Sequence, residues 1–364
     1  MQIKFEPQYT ITPLIARNLL RIEAAKEQAK HMPLTVHVLA SLRESMQFKA
    51  THYSTMIEGN RLTVAQVEQI IKHEKKLAGR KREEQEVKGY YCALRHVEQW
   101  ALRKRPATQK LIQTIHALVM AGGKSQVKPE PCRDGQNVIR NSTNKAIVYM
   151  PPEAQDVPGL MTGLVQWLTN TTNTPYPLVA GIAHYQFATI HPYYDGNGRT
   201  ARLLTTFLLH KTGYDLKGLY SLEEYYAHDL SAYYDALSIG PSHNYYEGRA
   251  EADITPWLAY FIEGMAKSFE QVIHHMKQEQ QKNKTDQSEL IRSLDHKQRK
   301  VLELFEHSQT ITARQIGELF GFKPRTSAHL CHKWVENGFL AIANPSNKAR
   351  SYRLAKQFKE LAPD

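Results

Sequence analysis

The residues best suited to chemistry stand together between positions 191 and 202. They are a histidine (His191), a carboxylate four residues later (Asp195), a Gly-Asn-Gly turn (196–198) and two arginines (Arg199 and Arg202). Glycines let backbone N–H groups approach an anion, and the N-terminus of a following helix favours negative charge. The two arginines are three positions apart, so both can project from one side of that helix and bind phosphate. The pattern is typical of a polyphosphate site.

Two of these residues could act on the bound polyphosphate. Asp195 could hold Mg²⁺, which usually takes one or two carboxylates together with phosphate oxygens. His191 could serve as a general base, because the unperturbed pKa of histidine lies near neutrality. A lone Gly-x-Gly is more often a plain surface turn, but here the seven residues named above fall within twelve positions.

The stretch 191–202 resembles the HPFx(D/E)GNGRxxR signature of the Fic-domain family at every position but one. The exception is Tyr193, where Phe is usual. The resemblance implies a mostly helical fold and transfer of AMP from ATP to a Ser, Thr or Tyr hydroxyl of a target protein. It also implies that His191 deprotonates this hydroxyl and that Asp195 holds Mg²⁺. The implied phosphate ligands are Asn197 and the amides of Gly196 and Gly198 for the α- and β-phosphates, and Arg199 and Arg202 for the outer phosphates.

A second motif lies upstream, at Ser54-xxx-Glu58-Gly59. It closes a predicted helix, with Gly59 or Asn60 as a left-handed cap. Glu near a helix C-terminus is unfavourable for the helix dipole, so its presence calls for a reason. The motif resembles the (S/T)xxxE(G/N) inhibitory motif of Fic proteins. This resemblance implies that Glu58 pairs with Arg202 and competes with the γ-phosphate of ATP for the same N–H donors.

The segment between residues 122 and 152 is rich in Gly, Pro and Asn and contains two short β-prone runs, 137–139 and 146–149. This pattern predicts a β-hairpin. In Fic proteins a hairpin called the flap lies here and aligns the target as an added strand. An ordinary hairpin that shields the core is the alternative. The candidate docking residues are Val138, Ile139, Val148 and Tyr149.

Aromatic and histidine residues elsewhere have a structural and a functional interpretation. Tyrosines between residues 222 and 237 are expected to pack in the core with satisfied hydroxyls. In Fic proteins a Tyr-Tyr pair at about this distance lines the adenine pocket, which makes Tyr233 and Tyr234 candidates. The Asn that often follows has no clean match, since Asn244 stands slightly too far along. We expect His116, on a helix from 111 to 120, to be a packed or surface residue rather than a ligand.

The C-terminal pattern restarts after a polar stretch, 278–289. Three short helical patterns, with the last over 323–337, precede two short strands, 339–343 and 350–354. Their order resembles a winged helix-turn-helix. From residue 290 onward there are 13 Lys and Arg against 7 Asp and Glu, a net charge of +6. DNA binding is therefore one hypothesis and protein docking the other. We expect five residues to face outward from the last of these helices as candidate DNA contacts: Arg325, Thr326, Ser327, His329 and Lys333.

Composition sets the remaining limits. The chain has 364 residues, 41% hydrophobic and 23% charged, with a net charge of +11. No apolar run approaches 18 residues and the first residues lack a secretory pattern, so we expect a cytoplasmic protein without a membrane partner. Three widely separated cysteines predict neither a zinc site nor a disulfide framework. The predicted parts are an N-terminal helical region (1–110), a catalytic domain (111–277), a linker (278–289) and the winged helix (290–364).

Together these observations predict a mostly α protein: a Fic-type helical domain with a small β-hairpin flap and a C-terminal winged helix-turn-helix. The leading hypothesis is a protein adenylyltransferase that uses ATP and Mg²⁺, modifies a target and itself, and is restrained in cis by Glu58. The alternatives are a nucleotide-sensing DNA-binding regulator and a de-adenylylating Fic enzyme. A homodimer is also compatible with the sequence, which leaves the target open.

Overall fold

The computed structural model describes residues 4–32, 34, 36–140, 146–240, 242–282, 288–306, 308–346 and 349–361. Over these residues the chain is mostly helical, with two short antiparallel hairpins. The α-helices are α1 (Pro13–His31), α2 (Val36–Ile57), α3 (Val64–His73), α4 (Lys81–Leu102), α5 (Gln109–Met120), α6 (Val157–Asn170), α7 (Tyr176–Ile190), α8 (Asn197–Lys211), α9 (Leu222–His228), α10 (Leu230–Leu237), α11 (Thr255–Lys282), α12 (Ser288–Ser293), α13 (His296–Val301), α14 (Ala313–Phe320) and α15 (Pro324–Glu336). The strands are β1 (Ile139–Arg140), β2 (Ile147–Tyr149), β3 (Leu340–Asn344) and β4 (Ser351–Leu354).

The chain divides into two compact units. The first comprises Met1–Ala29 and Ser45–Val272, and the second comprises Lys30–Glu44 and Ile273–Asp364. Most of the predicted N-terminal region thus shares a unit with the predicted catalytic domain. The physical reason is that α4, from the former, packs directly on α8 and α5, from the latter.

The apolar sequence of residues 177–189 predicts a buried central helix, and α7 is the central helix of the first unit. It is apolar on all sides, and nearly all of its side chains are buried. Helix α8 packs against α7, α4 and α5, while α6 covers another side of α7. A helix that is hydrophobic all round must be surrounded by other elements. This burial leaves little freedom to the C-terminus of α7 and the N-terminus of α8, and the segment that joins them carries the candidate site.

The predicted hairpin of the first unit is present as β1 and β2. Ile139 lies opposite Tyr149 and Arg140 opposite Ile147, with an irregularity in the register between the two pairs. Residues 141–145, the predicted turn, lie outside the described residues. A hairpin of this size is stable only when packed on other elements, and the buried ring of Tyr149 provides that packing.

In the second unit, helices α13, α14 and α15 precede the antiparallel strands β3 and β4. Ile311 also pairs with Tyr352 of β4 through two backbone hydrogen bonds of 2.8 Å. The core contains residues from every one of these elements, among them Val301, Ile316, Trp334, Leu340 and Leu354. The elements follow in the predicted order, while their assignment as a winged helix stays a prediction. Within the part of the chain that the structure describes, no helix has the length and apolar character needed to cross a membrane.

Candidate active site

The segment 191–196 joins α7 to α8 through two residues in the left-handed region. His191 caps the C-terminus of α7 with φ +51°, and its N–H donates to Phe187 O at 3.0 Å. Gly196 is the N-cap of α8 with φ +78°. A Cβ on Gly196 would approach Met120 Sδ to 2.8 Å, so both the backbone angle and the space favour glycine. The chain therefore leaves one helix and enters the next within a few residues.

The imidazole of His191 has a defined tautomer. Its Nδ1 lies 3.3 Å from the carbonyl oxygen of Ala188, which can only accept, so Nδ1 carries the proton. The lone pair is then on Nε2. Burial lowers the pKa of His191 to about 4, and the charge of Arg133 acts in the same direction. The ring is neutral at pH 7, which is the form that a general base requires.

The N-terminus of α8 offers free backbone donors. The first intrahelical bond runs from Thr200 N–H to Gly196 O at 3.0 Å. Among the described residues, none accepts a hydrogen bond from the N–H groups of Asn197, Gly198 and Arg199. Unpaired N–H groups and the helix dipole together form an anion site. The N–H groups of Asn197, Gly198 and Arg199 are therefore open to a phosphate. The Gly196 amide, which the resemblance also implied as a phosphate ligand, instead donates to Asp195 Oδ1 at 2.6 Å.

The side chain of Asn197 is engaged within the loop itself. Its Oδ1 accepts from Tyr193 N–H at 3.0 Å, and its Nδ2 donates to Tyr193 O at 2.7 Å. The resemblance implied that Asn197 holds phosphate. In this structure its buried side chain holds the loop, and its backbone N–H is open to an anion.

Arg202 is a buried guanidinium with three hydrogen bonds to the end of α2. Its Nε donates to Ser54 Oγ at 2.8 Å, and its Nη2 donates to Ser54 O at 2.9 Å and to Glu58 Oε1 at 2.8 Å. Burial alone would lower the pKa of Arg202, but the charge and hydrogen bond of Glu58, together with Tyr233 and Tyr90, raise the pKa above its ordinary value. The ion pair that the inhibitory motif implied is present.

Glu58 follows the last residue of α2, where Gly59 forms the left-handed turn with φ +94°. The approach of its carboxylate to α8 depends on Gly198. A Cβ on Gly198 would overlap Glu58 Oε1 and lie 3.2 Å from Arg202 Nη1. The lack of a side chain at Gly198 thus has two effects. It leaves room for the Glu58 carboxylate, and it leaves the Gly198 N–H accessible to an anion.

Arg199 lies beside Asp195 at the other edge of the loop. Its Nη2 donates to Asp195 Oδ1 at 3.2 Å, and its Nε is buried without a hydrogen-bond partner among the described residues. Asp195 Oδ1 also accepts from Gly196 N–H at 2.6 Å. The Asp195 side chain is 61% exposed, so its other oxygen can reach a ligand from solvent.

Asp195 fits Mg²⁺ as a single carboxylate ligand. No group of three or more His, Cys, Asp and Glu residues suited to a metal occurs in the described ranges. Mg²⁺ commonly takes one or two carboxylates and completes its shell with phosphate oxygens and water. An exposed carboxylate next to free helix N–H donors meets that requirement, whereas a metal held by protein ligands alone would not fit.

The two candidate adenine residues have different surroundings. Tyr233 is 2% exposed, and its hydroxyl lies 3.0 Å from His184 Nε2 within an aromatic cluster. Tyr234 is 46% exposed, and its hydroxyl donates to Ile57 O at 3.3 Å, one residue before Glu58. Tyr234 is therefore the member of the pair that a ligand could contact.

The predicted docking residues lie on the hairpin, but they are unequally accessible. Val138, Ile139 and Val148 are half-buried, while Tyr149 is buried with its hydroxyl donating to Thr189 O at 2.8 Å. The side chain of Tyr149 thus anchors the hairpin on α7. A docking role for residue 149 would be confined to its backbone.

His116 is packed, as expected. Its ring stacks on Tyr193 with centroids 3.6 Å apart, and its Nε2 donates to Asp195 O at 3.0 Å. Burial lowers the pKa of His116, so the ring is neutral. Its stacking on Tyr193 and its hydrogen bond to Asp195 O support the loop between α7 and α8.

One prediction for the C-terminal unit is wrong. Ser327 was expected to face outward from α15 as a DNA contact, but its side chain is fully buried and its Oγ donates to Lys323 O at 3.2 Å. A Cβ on Gly317 of α14 would lie 2.7 Å from Ser327 Oγ, so the two helices meet at this point. The other four candidates, Arg325, Thr326, His329 and Lys333, are exposed.

Sequence reasoning missed Arg133. This arginine is 4% exposed, and it donates to His191 O in the loop between α7 and α8 and to Pro152 O after the hairpin. It stands in a loop rich in Pro, Gly and charged residues, and nothing in that local pattern distinguishes a buried arginine from a solvated one.

The sequence and the fold were compared with those of known proteins. Residues 106–209 match the family model described as Fic/DOC family, so the chain contains a Fic/DOC family domain. In the solved Fic family protein from Desulfovibrio desulfuricans G20 the fold is similar, with a TM-score of 0.61 at 23% identity, covering 97% of this chain and 99% of that one. The fold is therefore of the Fic type.

Curated relatives include two fly proteins named Protein adenylyltransferase Fic. The one from Drosophila grimshawi is 27% identical over 207 residues, which cover 56% of this chain and 41% of that protein. The one from Drosophila melanogaster is 28% identical over 207 residues, covering 56% and 40%. This chain therefore aligns with about two fifths of the length of these relatives.

Proposed function

We propose that this protein transfers AMP from ATP to a Ser, Thr or Tyr hydroxyl of a target protein. The observation that carries the proposal is the neutral imidazole of His191, which stands one short loop before the free N–H donors of α8. The Fic/DOC domain and the adenylyltransferase relatives support the same chemistry.

In the proposed step the target hydroxyl oxygen forms a bond to the α-phosphorus of ATP. The bond from that phosphorus to the oxygen bridging to the β-phosphate breaks, and pyrophosphate leaves. The hydroxyl proton passes to Nε2 of His191. Because Nδ1–H is held by Ala188 O, the lone pair on Nε2 points away from that bond. His191 therefore needs no change of tautomer before it accepts the proton.

The remaining residues would position and neutralise the phosphates. The N–H groups of Asn197, Gly198 and Arg199, with the helix dipole behind them, would hold the α- and β-phosphates. Arg199 would contact an outer phosphate, and Asp195 would hold Mg²⁺. When bound, Mg²⁺ would offset phosphate charge during the transfer. Phosphoryl transfer depends mainly on such positioning and charge stabilisation.

Glu58 would restrain this activity in cis. Its carboxylate occupies a donor of Arg202 that a γ-phosphate would use, and it lies against Gly198 at the start of α8. A phosphate and a carboxylate cannot share one N–H with good geometry. ATP would therefore bind without the orientation required for transfer until Glu58 moves.

The first prediction concerns Glu58. Incubation with ATP labelled at the α-phosphate and Mg²⁺ should give weak labelling of lysate proteins by the wild type, about 10- to 100-fold more by Glu58→Gly, and none by Glu58→Gly/His191→Ala. This range corresponds to loss of one charged hydrogen bond of about 1.5–3 kcal/mol. Glu68→Gln, which breaks the 3.0 Å ion pair with Lys72 on α3, is the matched control and should behave as wild type.

Two results would count against the proposal. Equal labelling by Glu58→Gly and wild type would remove the restraint, and labelling that persists in His191→Ala would remove the base. A de-adenylylating enzyme would instead lose removal of AMP in Glu58→Gly, because Glu58 would orient the water. Parallel binding measurements with ATP, GTP and a cytidine nucleotide would identify the donor.

A second candidate function is DNA binding by the C-terminal unit. Four exposed residues of α15, Arg325, Thr326, His329 and Lys333, support it, together with the +6 charge from residue 290 onward. Under this hypothesis the Fic/DOC domain senses nucleotide for a regulator.

The second prediction tests this candidate with the full chain. Binding to a duplex from the gene's own promoter should weaken as salt rises. If Lys333 contacts a phosphate, Lys333→Ala should reduce the slope of log K against log salt by about 0.9. Arg17→Ala, an exposed charge on α1, should leave the slope unchanged. Absent or salt-insensitive binding would exclude DNA as the partner.

A further inference from the structure

The left-handed backbone of His191 must be held by its surroundings. Its φ of +51° is unusual for a residue with a side chain, and such a conformation persists only where neighbouring contacts impose it. The N–H of His191 is fixed by Phe187 O at the end of α7. The orientation of its carbonyl group decides where the peptide to Pro192 lies, and hence how the loop leaves the helix.

Arg133 holds two consecutive carbonyl groups of this loop. Its Nε donates to His191 O at 3.0 Å, and its backbone N–H donates to Pro192 O at 2.8 Å. A side-chain donor and a main-chain donor of one residue thus hold both peptides that follow the imidazole. These two bonds restrict rotation of the His191–Pro192 segment more than either would alone.

The same guanidinium also holds both arms of the hairpin at its base. Its Nη1 donates to Gly135 O at 2.9 Å, four residues before β1, and its Nη2 donates to Pro152 O, three residues after β2. Gln136 adds to this connection, because its Oε1 accepts from Arg133 at 3.1 Å and its Nε2 donates to Pro151 O at 3.0 Å. One planar group therefore joins the catalytic loop to the hairpin.

Arg133 is 4% exposed, and its guanidinium donates to three carbonyl oxygens and to the amide oxygen of Gln136. Burial lowers the pKa of Arg133, but an arginine remains charged near neutrality. A buried cation with only carbonyl and amide acceptors is expensive. Apolar side chains of similar size would stabilise the fold at least as well. Stability alone therefore does not explain an arginine at position 133.

We propose that Arg133 is a positioning residue for the transfer reaction, holding the His191 peptide in register with the target-docking hairpin. The target hydroxyl, presented by the hairpin, and the imidazole that removes its proton would then keep a constant separation. This inference rests on the proposed function, in which His191 is the base and the hairpin docks the target.

The charge of Arg133 has a second consequence for His191. Glu58 and Asp195 raise the pKa of His191, whereas burial and Arg133 lower it. Removing the guanidinium charge should therefore raise the pKa of His191, while a lysine at the same position should largely preserve it. A purely structural arginine would not distinguish these two substitutions.

The test uses full-length protein in the Glu58→Gly background and compares Arg133→Met, Arg133→Lys and the exposed control Arg17→Met. We expect Arg133→Met to lower kcat about 100-fold, the loss typical of a misplacement of about 1 Å. Arg133→Lys should lower kcat as well, because one ammonium nitrogen cannot replace the planar group that bonds His191 O, Gly135 O and Pro152 O. KM for ATP should change by less than about twofold, because Arg133 donates to none of the α8 residues that would hold phosphate. Arg17→Met should change neither quantity.

A second measurement needs no nucleotide. NMR titration of His191 in ¹³C,¹⁵N-histidine-labelled protein should show its pKa raised in Arg133→Met and nearly unchanged in Arg133→Lys. If Glu58→Gly itself transfers no AMP, the proposed function fails, and the titration still reports on Arg133. An unchanged kcat in a folded variant, or an unchanged His191 titration in Arg133→Met, would overturn the positioning role. If Arg133→Met melts below the assay temperature, a normal kcat for Arg133→Lys overturns it equally.

Discussion

At the residue scale, the site depends on two glycines, Gly196 and Gly198, as much as on its charged side chains. Glu58 reaches Arg202 only because position 198 has no Cβ, and the loop enters α8 only because Gly196 adopts φ +78°. The N–H groups of residues 197–199 are open to a phosphate, and the Glu58 carboxylate lies against Gly198 beside them. Under the proposed function, phosphate binding and restraint by Glu58 would therefore compete for the same space.

The third prediction concerns Gly198. Gly198→Ala should displace the Glu58 carboxylate, which sits on a flexible side chain, and weaken its ion pair with Arg202. Because the new methyl group also lies beside the phosphate-binding amides, the absolute rate is a poor readout. We therefore expect the gain from Glu58→Gly to be several-fold smaller in Gly198→Ala than in wild type, a coupling measurable by a double-mutant cycle. Equal gains in both backgrounds would show that the two residues act independently.

At the element scale, the candidate site is formed by the ends of helices, and the core is formed by their packed faces. The C-terminus of α7, the N-terminus of α8 and the C-terminus of α2 converge at the site, while the buried faces of α4, α5 and α7 hold α8 in place. The second unit follows the same rule on a smaller scale. There α14 and α15 meet through Gly317 and Ser327, leaving the opposite face of α15 exposed.

The fourth prediction belongs to that helix pair. Ser327→Leu inserts a larger side chain at a fully buried contact and should destabilise the second unit by about 1–3 kcal/mol. Thr326→Leu, at the exposed neighbouring position, should change stability by less than about 0.5 kcal/mol. Native-state hydrogen exchange over residues 324–336 would measure both. Similar protection in the two variants would contradict the inward orientation of Ser327.

At the scale of the whole molecule, buried neutral histidines make the fold sensitive to acid. Burial lowers the pKa of His184 to about 3 and that of His191 to about 4, from an ordinary value of 6.5. Below about pH 6.5 the unfolded chain therefore binds more protons at these two positions than the folded chain. Their contribution to stability is complete above that pH and is lost progressively as pH falls toward the folded pKa values.

The fifth prediction follows from this linkage. The free energy of unfolding in urea should fall as pH is lowered from 7.5 to 5.5, a range above the ordinary pKa of the carboxylates. Over the same range kcat of Glu58→Gly should stay nearly constant, because folded His191 remains neutral. His184→Asn should reduce the pH dependence of stability. A kcat that halves near pH 6.5 would contradict the lowered pKa of His191.

Local patterns predicted what depends on neighbours in the chain. The left-handed turn at residue 59, the hairpin near 139–149, the central apolar helix and the loop 191–202 all rest on spacing, propensity and glycine placement within a few residues. These features are decided over short separations, where backbone geometry permits few alternatives. The family resemblance added the pairing of Glu58 with Arg202 across 144 positions, and the ion pair is present at 2.8 Å.

Only the tertiary structure decided which side chains are buried against a distant partner. Arg133 holds the carbonyl of His191, 58 positions away, and Ser327 turns inward against Gly317 of the preceding helix. The side-chain amide of Asn197 bonds the backbone of Tyr193. The ring of Tyr233 is buried in the aromatic core. The type of a polar residue states what it can bond to, whereas packing between elements determines which partner it meets.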